Sequence, residues 1–514
     1  MLTLWRITGL RRAKLVVAVA ALLLLALGCS RGDVEEITIL HWNDFHAQNR
    51  PFVDLSSHGN RRLVGGAARF AYVLDSLRHA VKNPVSLHAG DEFSGSAECT
   101  ITKGASQIRL LNLLGPDAFE LGNHEFDYGP ARLKELLNRA RFPVVCGNLW
   151  DKAAGEPFDA GRVRPYVILR AGKARIGVIG VMTPRFGAVT KPGSKLEALD
   201  PAKVVKKWAH AIADSVDLTV VLSHMGVKAD RKLAEKLPRG TVDVIIGGHS
   251  HTVLEHPEVR NGVVICQAGS RGEFVGELHL KVDLQGDSLL AHQGHLVLVR
   301  DPGKEDPTVA AFVDSLYRAL DAEYHLTEVI AQLKGDWIRA YGQESAVGDW
   351  EADVFRKVSG ADVAFQNNGG IRKDVPEGPI RVADFWELNP FSNRLVTFTV
   401  TGAELLEILD YNATAWSDLL QVSGVRVHCD ARRPRGHRVL RATLADGRPI
   451  RRHRRYKVCT NDYVAKHFYQ YFGIPPRGRR IKDLGIIDRD AFIQEAKRQK
   501  VIVAKTDGRL VIDR

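Results

Sequence analysis

The stretch EITILHWNDFHAQN, residues 36–49, is an apolar run that breaks abruptly into polar side chains. EITILHW (36–42) reads as a β-strand. Asp44 and His46 follow two residues apart, on the same side of an extended segment. The pattern recurs along the first half of the chain. PVSLHAG (84–90) runs into Asp91, and LGNHEFDYG (121–129) sets Asn123, His124 and Asp127 between two glycines. LTVVLSH (218–224) ends on His224, and VDVIIGGHS (242–250) leads through His249 to His251. ARIGVIGV (174–181) is a further strand. GAARFAYVLDSLRHAV (66–81), SQIRLLNLLG (106–115) and ARLKELLNRA (131–140) have helical spacing. This βαβα order predicts an α/β layered fold with a sheet buried on both faces. Ligands in such folds gather beyond the carboxyl ends of the strands, so five loops from one sheet edge are expected to converge on one site.

The 514 residues exceed what one core ordinarily holds, which predicts two domains. Hydrophobic content of 45% and charged content of 26% are those of a globular protein. The Pro- and charge-containing RDPGKEDP (300–307) breaks the alternation. TVAAFVDSLYRALDAEYH (308–325) reads as a connecting helix within a linker at 301–328. A second domain is expected over 329–514, with helices in DWEADVFRKV and AELLEILDYNA and strands in LVTFTV, RVHC and YKVCT.

Residues 1–28 read as a signal peptide. Arg6, Arg11, Arg12 and Lys14 form a basic n-region, and LVVAVAALLLLAL (15–27) is an apolar h-region too short for a comfortable membrane span. The following Gly28–Cys29 resembles a bacterial lipobox, with Ala26 where Leu is usual. It predicts export to the periplasm or cell envelope and a membrane anchor through lipidated Cys29. Removal of the segment lowers the net charge from +12 to 12 − 4 = +8. The excess is concentrated between Arg426 and Lys457, where eleven Arg and one Lys face only Asp430 and Asp446. No aromatic residue interleaves until Tyr456, which argues for a solvated hairpin and against nucleic-acid binding. Without Cys29, five cysteines remain. The odd number and the absence of CxxC spacing indicate neither a zinc ribbon nor a thioredoxin-like motif.

Carboxylate, imidazole and amide ligands at five strand ends suit a borderline or hard divalent metal: Zn, Mn, Fe or Co. Two such cations bridged by one carboxylate can bind an attacking hydroxide and clamp a phosphoryl oxygen, an arrangement that hydrolyses phosphate esters. DxH alone is weak evidence; GNHE with a nearby Asp, in the company of the other four fragments, is far more specific.

These fragments, in this order and with the GNHEFDYG wording, resemble the 5′-nucleotidase family of calcineurin-like metallophosphoesterases. That family includes bifunctional UDP-sugar hydrolases and 2′,3′-cyclic nucleotide phosphodiesterases. The resemblance covers nearly the whole mature chain. It implies a four-layer α/β/β/α metallophosphoesterase domain over 35–300 and a smaller α+β C-terminal domain that binds the nucleoside. It also implies two divalent metal ions. Asp44, His46 and His251 would hold one, Asn123, His224 and His249 the other, and Asp91 would bridge. His124 would face the phosphate, with Asp127 raising its basicity. Glu125 has no clear role beyond orienting the loop or solvation.

In the second half, QNNGGIR (366–372), ELNPFSN (387–393) and CTNDYVAKHF (459–468) resemble the family's substrate segments. By that resemblance Asn367, Arg372, Phe391 and Tyr463 contact the nucleotide, with Asn393 a weaker candidate. Two departures bear on the substrate. The family follows its second aromatic with GGDG, whose Asp contacts the ribose; here AKHFYQYF carries no Asp. Gln343 stands close to an expected Arg, with Arg339 nearby. The implied activity is hydrolysis of nucleoside 5′-monophosphates. The alternatives are a 2′,3′-cyclic nucleotide phosphodiesterase, a UDP-sugar hydrolase, or a lipoprotein that binds nucleotides without turnover. Oligomeric state is open.

Overall fold

The computed structural model describes residues 33–55, 61–159, 161–189, 195–300, 303–415, 418–476 and 478–514. Residues 1–28, expected to be a signal peptide, and Cys29 lie outside the described residues. Among the described residues no helix is long and apolar enough to cross a membrane, and Cys99, Cys146, Cys266, Cys429 and Cys459 are all free and buried.

The first domain contains β1 (Val34–Trp42), α1 (Ala67–Ala80), β2 (Pro84–His88), β3 (Ala118–Glu120), β4 (Ala174–Met182), β5 (Leu218–His224), β6 (Val244–Gly247), β7 (Phe274–Asp283) and β8 (Ser288–Leu298). The expected single sheet is in fact two. β8, β7, β1, β2 and β3 lie in that order in a seven-stranded sheet, whereas β4, β5 and β6 are neighbours in a six-stranded one. Alternation along β1 shows why. Ile37 and Ile39 point into a core shared with Val178, Val220 and Ile246 of the other sheet. Leu40 and Trp42 pack under Phe70 and Leu74 of α1. On the far side, Val221 of β5 and Ile245 of β6 meet Val205 and Leu233 of the helices Pro201–Ile212 and Val227–Lys236. The layers are therefore α/β/β/α, as the family resemblance implied, and the five polar loops come from the edges of two facing sheets.

α2 (Pro307–Tyr324) starts at Asp306, whose side chain accepts from Val309 N at 2.8 Å. Its first half, through Val309, Phe312 and Val313, packs on the core of α1. Its second half, through Tyr317 and Leu320, joins the core of the second domain. That domain is built on α3 (Ala346–Ser359), β9 (Val363–Asn367), β10 (Arg394–Thr401), β11 (Arg455–Asn461) and α4 (Asp488–Gln499), with β9, β11 and β10 adjacent in a five-stranded sheet. The Arg-rich segment forms the antiparallel pair Val425–Asp430 and Val439–Leu444. Many of its guanidiniums face carboxylates: Arg432 pairs with Asp430, Arg438 with Asp410, and Arg448 with Asp446.

Phe355 of α3 is fully buried and stacks on Phe492 of α4, with ring centroids 5.4 Å apart. Phe355→Ala is expected to cost about 3–5 kcal/mol, measured by denaturant unfolding. A loss within experimental error would show that this stack does not hold the second domain together.

Candidate metal and phosphoester site

The loops after β1, β2, β3, β5 and β6 bring the sequence-flagged ligands into one buried cluster. His46 Nε2 and His251 Nε2 stand 3.0 Å apart, with Asp44 Oδ1 3.3 Å from the latter. Asp91 Oδ2 lies 3.0 Å from His224 Nε2. Asp44, His46 and His251 form one set of ligand atoms within 4.8 Å of one another; Asp91, His224 and His249 form a second; His46, Asp91 and His124 form a third between them. Imidazole nitrogens and carboxylate oxygens that converge in this way are the donor set of a borderline divalent ion. Burial, then His251, pushes the His46 imidazole well below its ordinary value. Burial, then His224, pulls His249 down to about 4. Neutral imidazoles are what a metal needs. Asn123 is buried beside them.

The backbone pays in strain for this convergence. Asp44, His46, Asp91, His249 and His251 all have positive φ, between 49° and 75°, a region side chains other than glycine rarely adopt. Gly122 allows a close approach: a Cβ there would fall 2.1 Å from Asp91 Oδ1.

A second layer of polar groups aims these ligands. Asn43 Nδ2 donates to Asp44 Oδ2 at 2.7 Å and accepts at Oδ1 from Ala268 N at 2.8 Å. His224 Nδ1 bonds Ala89 O at 2.7 Å, which turns Nε2 toward Asp91. Of the two roles left open for Glu125, orienting the loop or solvation, the structure supports the first. Its carboxylate accepts from four backbone N–H groups: Asp91 at 3.0 Å, Glu92 at 2.9 Å, Phe93 at 3.1 Å and Gly122 at 2.6 Å. It ties the Asp91 loop to the Asn123–His124 loop.

His124 Nδ1 is hydrogen-bonded to Asp127 Oδ2, 2.8 Å away, and its Nε2 lies 4.0 Å from Asp91 Oδ2. Burial works to lower its pKa; Asp127 and Asp91 outweigh that and hold the imidazole above its ordinary value. Asp127 thus holds Nδ1, and Nε2 faces the Asp91 side of the cluster.

The second domain closes over this cluster. Phe391 stacks on His124, with ring centroids 5.8 Å apart and planes at 23°. Arg372 Nη2 reaches to 3.5 Å from His46 Nε2 and lies over the Phe391 ring. Asn367, at the end of β9, accepts from Asn461 Nδ2 at 2.8 Å. Tyr463 packs on His467, and Asn393 is buried. Arg339 is paired with Asp374 at 3.0 Å. The AKHFYQYF departure has a packing reason, since Phe468 and Phe472 fill the core against Phe398.

Two residues near the substrate segments were missed in the sequence. Arg271, in the loop beyond the strand Val263–Cys266, lines the cavity with His46, His251, Arg339 and Arg372, and donates to Arg372 O across the domain boundary. Burial, then Arg339, draws its guanidinium down to about 9. Its position after a strand end is the signal that was available. Asp418 faces Tyr471 Oη at 3.5 Å and lies against Gly369; nothing local in the sequence marked it.

The layered domain and its cluster define a calcineurin-like phosphoesterase, and that family model matches residues 37–253, with the 5′-nucleotidase C-terminal domain over 329–473. A solved 5′-nucleotidase precursor from Thermus thermophilus is 33% identical, with a TM-score of 0.84 over 93% of this chain and 99% of that one. The 5′-nucleotidase of Diplobatis ommata is 27% identical over 95% of this chain and 92% of its own. A trifunctional nucleotide phosphoesterase protein of Bacillus subtilis (strain 168) is 26% identical over 92% of this chain, which spans 35% of that longer protein. The chain belongs to the 5′-nucleotidase family of calcineurin-like phosphoesterases. It is a metal-using hydrolase of phosphoric ester bonds.

Glu125→Gln replaces one acceptor oxygen with an amide N–H facing backbone donors. A loss of about 3 kcal/mol in stability is expected, together with weakened metal retention, read by unfolding and by metal content. Wild-type stability and metal content would show that the four-bond clamp is dispensable.

Proposed function

We propose that this protein is an exported hydrolase that releases phosphate from nucleoside 5′-monophosphates, using two divalent ions drawn from Zn, Mn, Fe and Co. The observation that carries the reading is the meeting, in one cluster, of Asp44, His46, Asp91, His224, His249 and His251 with the His124–Asp127 pair, and with Arg372 and Phe391 from the other domain. Asp44, His46 and His251 would hold one ion; Asn123, His224 and His249 the other; Asp91 would lie between. When bound, the ions supply Lewis-acid polarisation of the phosphoryl group and an acidified water.

The chain's own residues do the rest. Asp127 holds His124 at Nδ1 and favours its charged form, which would set positive charge where negative charge grows on the phosphoryl oxygens. Arg372 offers its guanidinium from the opposite wall. Phe391 offers a ring face for the base, with Tyr463, Asn367 and Asn393 nearby candidates for nucleoside contacts. An anchor at Cys29 would keep the enzyme at the cell envelope.

A second reading is a 2′,3′-cyclic nucleotide phosphodiesterase or UDP-sugar hydrolase. Arg271, a guanidinium beyond the one a single phosphate needs, favours the UDP-sugar, which carries two phosphates; a cyclic nucleotide carries one.

The mature protein is assayed on AMP, 2′,3′-cyclic AMP, UDP-glucose and bis-p-nitrophenyl phosphate with Mn or Zn added. AMP turnover is expected, reduced roughly 10²–10⁴-fold in His124→Ala. Turnover of the diesters alone would move the function to the second reading. Chelation is expected to abolish turnover and divalent metal to restore it; activity that survives exhaustive chelation would contradict the metal assignment.

A further inference from the structure

The phosphoester chemistry leaves Asp418 without a task, yet the fold sets it beside the residues that would hold a nucleoside. Asn367, the last residue of β9, faces Leu420 in antiparallel register. The chain just before Leu420 therefore runs back along the Asn367–Arg372 loop, and Asp418 is carried opposite Gly369. A Cβ on Gly369 would fall 2.9 Å from Asp418 Oδ1 and 3.6 Å from Asn367 Nδ2. The bare glycine thus leaves a gap with a carboxylate on one side and an amide N–H on the other. Asn461 Nδ2 fixes that amide by donating to Asn367 Oδ1 at 2.8 Å.

Tyr471 Oη donates to Asp418 Oδ1 at 3.5 Å, the limit of a hydrogen bond. Arg185 of the first domain, Arg372 and His467 act on the carboxylate through their charge, and among the described residues none of them is hydrogen-bonded to it. A carboxylate offers about four acceptor sites, so this one is short of donors. Asp418 is half-buried, and burial raises its pKa, so water supplies the remaining donors only in part.

The surroundings have the layout of a nucleotide. Tyr463, a candidate ring for the base, meets Tyr471 edge-on with centroids 6.1 Å apart, and the charges of Asp418 and Asp127 both act on its hydroxyl. Arg372, at the phosphate end, is three residues from Gly369, at most roughly 10 Å of chain. A 5′-phosphate and the hydroxyls of its own ribose fit within that reach.

We propose, on the nucleotidase reading above, that Asp418 recognises the sugar: its carboxylate accepts hydrogen bonds from the vicinal 2′- and 3′-hydroxyls of a ribonucleotide. Asn367 Nδ2 stands across the gap as a donor to the hydroxyl oxygens. Acidic side chains take ribose hydroxyls in the same way in dinucleotide-binding folds. Two adjacent hydroxyls match the two oxygens of one carboxylate, whereas a deoxyribose has only one to give.

The test compares kcat/KM for AMP and 2′,3′-dideoxy-AMP in the parent, Asp418→Ala and Asp418→Asn. The parent's preference for AMP is expected to shrink roughly 10–100-fold in Asp418→Ala, mainly through KM, and less in the isosteric Asp418→Asn, which keeps one acceptor. A folding defect would lower both substrates together, so the ratio isolates the contact. An unchanged ratio in both variants, or a parent without preference for AMP, overturns the proposal. Calorimetry with adenosine and 2′,3′-dideoxyadenosine reads the same contact without turnover. Equal affinities, or binding of neither, overturn it. Selective adenosine binding that Asp418→Ala abolishes, in a chain that does not hydrolyse AMP, would sustain the ribose contact and fail the nucleotidase reading instead.

Discussion

His46 and His251 point their Nε2 atoms at each other across 3.0 Å, with the Asp44 carboxylate 3.3 Å from one of them. Two imidazole nitrogens and a carboxylate so close together form a donor set that a single cation can join. Much of the first domain can be understood as what holds them there. Two sheets face each other so that five loops end at one edge. The loops adopt left-handed backbone at Asp44, His46, Asp91, His249 and His251, strain that persists only where surrounding structure over-determines it. Glu125 supplies that restraint for two loops at once, Asn43 for Asp44, and the Ala89 carbonyl for His224.

The sequence made the strands and their polar ends visible because both are local properties. An apolar run such as LTVVLSH must be buried on both faces, and the residue that leaves it must satisfy its own polarity. β1 and β5 accordingly run to Trp42 and His224, within a residue of where the run breaks. Which strands share a sheet is not local, and the single sheet drawn from βαβα order proved to be two. The antiparallel β7–β8 pair, half-exposed and rich in polar residues, gave little apolar signal and went unread. The clamp by Glu125 was hidden for the same reason: its four partners lie on backbone that only the fold brings near.

The second domain shows a sharper limit. Phe391 and Arg372 were legible only through family resemblance, because an aromatic after proline and an arginine after a glycine turn have ordinary explanations. The fold gives them specific ones, against His124 and beside His46. Arg271 reaches across from the first domain to meet them. That bond makes the contact between the two domains part of the cavity's lining. The arginines between 426 and 457, the largest charge anomaly in the sequence, are largely drawn into surface ion pairs, which contribute little individually.

Two ions in this one cluster, with Asp91 between them, are what the proposed function requires. Anomalous diffraction from crystals grown with Mn tests it most directly. Two peaks about 3.5–4 Å apart, one against Asp44, His46 and His251 and the other against Asn123, His224 and His249, are the predicted result. A single peak, or two that do not share Asp91, would contradict the account.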